Sequence, residues 1–88
     1  MKAFEAYDDA FTIQFPNGCL ISVSWDAGTY CDRGKSTVEV ACFSSDARWM
    51  VFDFKTKQWH TLEYGNSEVM RDLSALEVTE LMNQLSKL

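Results

Sequence analysis

The chain has one proline, four glycines and one histidine in 88 residues, and none of its three cysteines forms a Cys-x-x-Cys pair. Each scarcity excludes something. No internal repeat or low-complexity stretch is visible. Cys19, Cys31 and Cys42 are 12 and 11 positions apart, with His60 the only imidazole, so four soft ligands at zinc-closing spacings are lacking. An odd cysteine count without a secretion signal argues against a disulfide framework. Cys19 and Cys42 are read as small core residues on strands, Cys31 as a loop thiol, and all three as reduced. No apolar run approaches the ~20 residues of a membrane span. Met1-Lys2-Ala3-Phe4-Glu5 lacks the succession of a signal peptide, so a cytoplasmic protein without a membrane partner is expected.

What is present is a folding composition: 47% hydrophobic, 14% aromatic and 24% charged residues. At this length one domain over residues 1–88 is expected, because two would each bury too little. Net charge is −5, distributed as −4 over residues 1–32, +2 over 33–60 and −3 over 61–88. An acidic chain is repelled by phosphate backbones, so direct nucleic-acid binding is disfavoured. The acids serve solubility or offer a surface to a basic partner.

Period-two alternation runs from about residue 10 to 62. Phe11, Ile13 and Phe15 alternate with Thr12 and Gln14, and Ile21, Val23 and Trp25 with Ser22 and Ser24. Pro16-Asn17-Gly18 between them makes a hairpin. Val38, Val40 and Cys42 define a third strand with Glu39 on its wetter face, and Met50, Phe52 and Phe54 oppose Trp49 and Val51 on a fourth. Gln58 to Leu62 returns as a short fifth strand. Ser74-Ala75-Leu76-Glu77 then matches a capping box, and Val78, Leu81, Met82 and Leu85 follow at helical spacing, which predicts an amphipathic helix over about 75–87. The expected architecture is α+β: a four- to five-stranded antiparallel β-meander packed against one C-terminal helix, with a partly closed barrel as the alternative. Residues 1–9 stay open between strand, helical turn and frayed end, and Val69 to Leu73 between strand and helical turn.

Three motifs invite chemistry. Gly28 to Ser36 ends like a phosphate-binding loop, but five residues separate its glycines where four are needed, and a strand follows where a helix should. His60 and Glu63 lack a positioned nucleophile, and Asp8, Asp9 and Asp26 lack calcium-loop spacing. The aromatics interleaved with Arg48, Lys55, Lys57 and His60 alternate as a core does and lack the RNA-recognition signature. No cofactor, metal or catalytic residue is assigned, and no enzymatic activity is expected.

The remaining feature is the long connection from Asp26 to Ser36. Loops of this length in small domains are often functional, and tyrosine and arginine most often anchor interfaces. The candidate partner-binding residues are Asp26, Tyr30, Asp32, Arg33 and Lys35. The competing surface is an acidic face imitating phosphates, built from Asp8, Asp9, Asp26 and Asp32 or from the Glu63–Glu80 set.

Asn17-Gly18, then Ile21-Ser22-Val23-Ser24-Trp25, Gly28, Tyr30-Cys31 and Ser36-Thr37-Val38-Glu39-Val40-Ala41 resemble a group of small uncharacterised accessory proteins of tailed bacteriophages. The resemblance covers about residues 11–43, with an echo in the Trp49 strand and the C-terminal helix. It implies a product of the host cytoplasm that binds a host protein or protein complex, as anti-defence and anti-CRISPR inhibitors do. The functional expectation is a non-enzymatic protein-binding module that inhibits a host defence or nucleic-acid-handling complex. A small structural or assembly protein and a nucleic-acid-binding module are the alternatives, and a homo-oligomer is left open.

Overall fold

The computed structural model describes residues 3–26 and 28–88. Seven strands and one helix follow in order: β1 (Phe4–Tyr7), β2 (Ala10–Gln14), β3 (Leu20–Ser24), β4 (Thr37–Phe43), β5 (Trp49–Asp53), β6 (Gln58–Thr61), β7 (Met70–Ser74) and α1 (Ala75–Leu85). The α+β class with an antiparallel sheet is as the patterning predicts, but the strand count exceeds the four to five expected. The residues left open at 1–9 contain β1, apart from Met1 and Lys2, which lie outside the described residues. Those at 69–73 form most of β7. The fifth predicted strand is β6, and the helix stops at Leu85, two residues short of expectation.

Strands β1 to β6 lie side by side in chain order, every pairing antiparallel. Strand β4 is the hub. One of its edges takes β3 along Glu39–Phe43. The other is divided between β5, at Cys42 and Phe43, and β7, at Thr37 to Val40. Strands β1 and β6 each pair on one side only, so the sheet forks without closing into a barrel.

Each turn has a local cause. Pro16 fixes φ for the first central position, Gly18 takes φ 88°, and the Phe15 carbonyl accepts from the Gly18 amide at 2.8 Å. The β4–β5 turn repeats this scheme with Ala47 at φ 66° and its amide donating to the Ser44 carbonyl at 2.9 Å. In the β5–β6 turn, Asp53 Oδ1 accepts from the amides of Lys55 and Thr56 at 2.8 and 3.2 Å.

Alternation puts Val23 and Val40 in register in one row, and Ile21, Cys42 and Met50 in the next. All are buried, together with Cys19, Phe52, Met70 and Leu73. Helix α1 covers this face through Leu81 and Leu85, both fully buried, and packs on β7 and β4. Burying each such leucine is worth about 1.5–3 kcal/mol. Phe52 meets Phe54 edge-on at 5.2 Å and Trp59 at 4.9 Å between ring centroids. The helix start is the predicted capping box: Ser74 Oγ accepts from the Glu77 amide at 3.2 Å, and Glu77 Oε1 accepts from the Ser74 amide at 2.9 Å. No helix among the described residues is long and apolar enough to cross a membrane.

Candidate functional site

The connection between β3 and β4 is organised by its own polar side chains; Ala27 within it lies outside the described residues. Asp26 Oδ1 accepts from the Gly28 amide at 2.8 Å, and the Asp26 carbonyl accepts from Thr29 Oγ1 at 2.7 Å. Asp32 accepts from the Ser36 amide at 3.0 Å, the Thr37 amide at 2.8 Å and the Ser36 hydroxyl. These donors stabilise the ionised form, the Ser36 hydroxyl most, and hold the Asp32 carboxyl well below the usual carboxylate range. Arg33 and Gly34 follow in the left-handed region, at φ 64° and 83°. Gly34 sits so tightly on the Trp25 indole that a Cβ there would lie 2.9 Å from its Cδ1, so the approach requires glycine.

Tyr30 is fixed at the crest of this loop. Its amide donates to Glu39 Oε2 at 2.8 Å, and its carbonyl accepts from the Asp72 amide at 2.9 Å. The residue stays 54% exposed, with the Arg71 guanidinium carbon 4.0 Å from the ring centroid, in cation–π range. Strand β7 supplies this arrangement through a bulge. Leu73 pairs with Val38 and Met70 with Val40, so Arg71 and Asp72 together oppose the single residue Glu39, and Asp72 takes φ 51°. Bulges re-aim side chains in this way; here the bulge presents an arginine to the loop tyrosine and a backbone N–H to its carbonyl.

The five residues singled out from sequence do not form one cluster. Tyr30 joins Glu39, Arg71 and Asp72. Asp26 and Asp32 accept hydrogen bonds inside the loop. Arg33 is exposed, and Lys35 borders a separate cleft of about 380 Å³ with Trp25, Val38 and Val78, on the helix side. Sequence reasoning missed Arg71, Asp72 and Glu39. One signal was available: Met70 and Leu73 are three apart, and both can face the core of a strand only if one residue between them is extra.

A second arginine–tyrosine pair flanks the β5–β6 hairpin, Arg48 just before β5 and Tyr64 after β6. The Arg48 guanidinium carbon is 5.1 Å from the Tyr64 centroid, Arg48 Nε donates to the Leu62 carbonyl at 2.9 Å, and Tyr64 Oη donates to Asp46 Oδ2 at 2.8 Å. The hydrogen bond to Asp46 pushes the Tyr64 phenol above its ordinary range, and hydrogen bonds from Ser44 and then Tyr64 lower the Asp46 carboxyl. An open cleft of about 680 Å³ lined by Trp49, Ser67, Glu68, Val69 and Arg71 adjoins one of about 200 Å³ that includes Arg48, Trp49, Tyr64 and Ser67. Trp49 and Ser67 belong to both. The Trp49 ring is itself seated on Phe43, with centroids 4.6 Å apart.

Many of the acids of the phosphate-imitating alternative are engaged within the chain. Besides Asp26 and Asp32, Glu77 serves the capping box and Glu80 is ion-paired with Lys57. His60 is exposed on β6. Among the described residues, no three His, Cys, Asp or Glu side chains gather as a metal ion would require. Compared with known families, curated proteins and solved structures, the chain matches none.

Proposed function

We propose that this chain is a non-enzymatic protein-binding module whose contact surface is centred on Tyr30 and Arg71. One observation carries the reading: Tyr30 is more than half exposed, yet its backbone is tied on both sides, to Glu39 and to Asp72, and its ring lies against the Arg71 guanidinium. A large side chain already ordered before its partner arrives loses less entropy on association than a mobile one. Tyrosine and arginine are also the residue types that dominate interface energetics. The bulge holds this pair in place, through the Asp72 amide on the Tyr30 carbonyl and the Arg71 guanidinium on its ring.

The partner class follows from the resemblance to phage accessory proteins rather than from the site. The reading is of an inhibitor, acting in the host cell, that occupies a host defence or nucleic-acid-handling complex. The test is affinity purification of tagged wild type, Tyr30→Ala and Arg71→Ala from a bacterial lysate, with mass spectrometry of what is retained. A stoichiometric host protein retained by the wild type and lost by both variants supports the proposal. Retention of phage virion components instead supports a structural or assembly role, and retention indifferent to both substitutions rejects this surface.

A further inference from the structure

Two rows of side chains cross the face of the sheet that α1 covers, and burial fails along both at the same place. Phe4, Ile13, Ile21 and Cys42 stand in register across β1 to β4, and exposure falls from 73% at Phe4 through a half-buried Ile13 to nothing at Ile21 and Cys42. Ala6, Phe11, Val23 and Val40 repeat the trend. Strands lie about 4.8 Å apart and a helix is about 10 Å across, so α1, seated on β7 and β4, leaves β1 and β2 as an apolar trough one helix wide. A cleft of about 380 Å³, between Phe11, Trp25 and the flank of α1 that carries Ala75, Val78 and Thr79, marks its inner wall. That flank is uncharged. At about 3.6 residues per turn, Ala75, Val78, Thr79 and Met82 fall within about 100° of arc, whereas Glu77 and Glu80 lie on the other flank, where Glu80 pairs with Lys57. Leu76, 79% exposed, stands on the outer side of the helix, opposite Leu85.

We infer that the trough is filled by α1 of a second copy of this chain, in a two-fold dimer that holds both helices side by side between two sheets. A two-fold axis parallel to α1 brings the uncharged flanks of the helices together at about 8–10 Å, the usual separation of packed helices and the width of two strand spacings. It also turns the outer side of each helix, with Leu76, onto Phe4, Phe11 and Ile13 of the other copy. One operation therefore covers both apolar surfaces that each chain leaves open, and each is the complement of the other, as an isologous contact requires. A helix from an unrelated partner would fill the trough and leave Leu76 exposed. The acids of β1 and its turn stay outside the contact: Glu5 lies on the opposite face of the sheet from Phe4, and Asp8 and Asp9 follow Tyr7 at the strand end. Each chain carries a net −5, so two copies repel at long range and added salt strengthens the dimer, the reverse of a contact held by opposite charges. Tyr30, Glu39, Arg71 and Asp72 do not line the cleft beside α1, so this inference stands apart from the Tyr30–Arg71 surface.

The test is sedimentation equilibrium of the full-length protein at neutral pH, from about 10 μM to about 1 mM and at low and high salt. The weight-average mass should rise from the 10.1 kDa of one chain toward twice that value, and should do so at lower concentration in high salt. Leu76→Glu and Phe4→Asp alter side chains that are exposed in the single chain, so the fold is retained, as circular dichroism would verify. Each should weaken dimerisation about tenfold or more. Tyr64→Ser, at a comparably exposed aromatic outside the trough, should leave it unchanged. In isotope-labelled protein, amide shifts that depend on concentration should map to residues 4–6, 11–15 and 75–82. A single-chain mass throughout, which would leave the trough to a partner's helix, overturns the inference. So does a dimer that weakens with salt, one indifferent to both Leu76→Glu and Phe4→Asp, or one whose shifts are confined to other elements.

Discussion

Asn17, in the first hairpin turn, caps the far end of the helix: its Nδ2 donates to the carbonyl of Leu85 at 2.9 Å and to that of Leu88 at 3.0 Å. The same side chain uses Oδ1 to accept from the Cys19 amide at 2.9 Å, which closes its own turn. The helix ends without a left-handed glycine and without a basic residue in its last turn, so Asn17 supplies the side-chain donor there, beside the Leu88 amide that reaches the Leu85 carbonyl at 3.3 Å. Asn17→Ala should therefore cost about 1–2 kcal/mol in urea unfolding. Asn17→Asp should cost more, since it removes both donors and sets a negative charge at the negative end of the helix dipole.

Ala47 occupies the left-handed position of the β4–β5 turn, at φ 66°. An L-residue pays about 1–2 kcal/mol there and glycine does not, against which glycine has the greater freedom in the unfolded chain. Ala47→Gly should leave stability unchanged or raise it by up to about 1 kcal/mol. Gly34→Ala, by contrast, should destabilise, because both the positive φ and the Trp25 indole oppose a Cβ. Thermal unfolding of the two variants beside the wild type checks both signs.

Asp32 sets the acid response of the loop. Its folded pKa is depressed by the Ser36 and Thr37 donors, so the associated stabilisation is fully present above the unfolded value of about 4 and is lost as pH falls through the folded value. Asp46 and Asp53 are depressed as well and act in the same direction. Stability should hold steady from neutral pH down to about 5 and then decline. In Asp32→Asn the decline should be shallower. Urea midpoints measured across this pH range would show it.

The thiols differ in environment rather than in oxidation state. All three are free; Cys19 and Cys42 are buried, and Cys31 is partly exposed with its sulfur 3.1 Å from Thr29 Oγ1. Burial pushes the Cys42 thiol up to about 12 and also raises Cys19, so neither offers thiolate at neutral pH. Thiol titration of the native protein should register one group promptly, and titration of the unfolded protein three. One group after unfolding would mean a disulfide and contradict the reduced state.

The core was legible because β3, β4 and β5 each bury alternate residues against one helix. The capping box was legible because its two partners are three residues apart in sequence. Strand β1 was not, since it is an edge strand with Phe4 73% exposed and leaves no alternating pattern of burial. Strand β7 was obscured by the bulge at Arg71 and Asp72, which spoils the period of two. The site divides along the same line. Tyr30 could be singled out because it sits in an unusually long connection, whereas Arg71 and Asp72 reach it only through the pairing of β7 with β4, 30 or more residues apart. The oxygens of Asp26 and Asp32 accept from the loop's own amides, and nothing in residue type separates such an acid from one that faces a partner.

The central claim is that Tyr30 and Arg71 form the contact surface. Its most direct test is the affinity of the captured partner for wild type, Tyr30→Ala, Arg71→Ala and the Asp8→Asn, Asp9→Asn pair, measured by calorimetry under one buffer condition. Each of the first two substitutions is expected to weaken binding by about thirtyfold or more, in the range of interface anchors, and the asparagine pair to leave it within about twofold. Affinity preserved in Tyr30→Ala and Arg71→Ala but lost in the asparagine pair would contradict the account and assign binding to an acidic face instead.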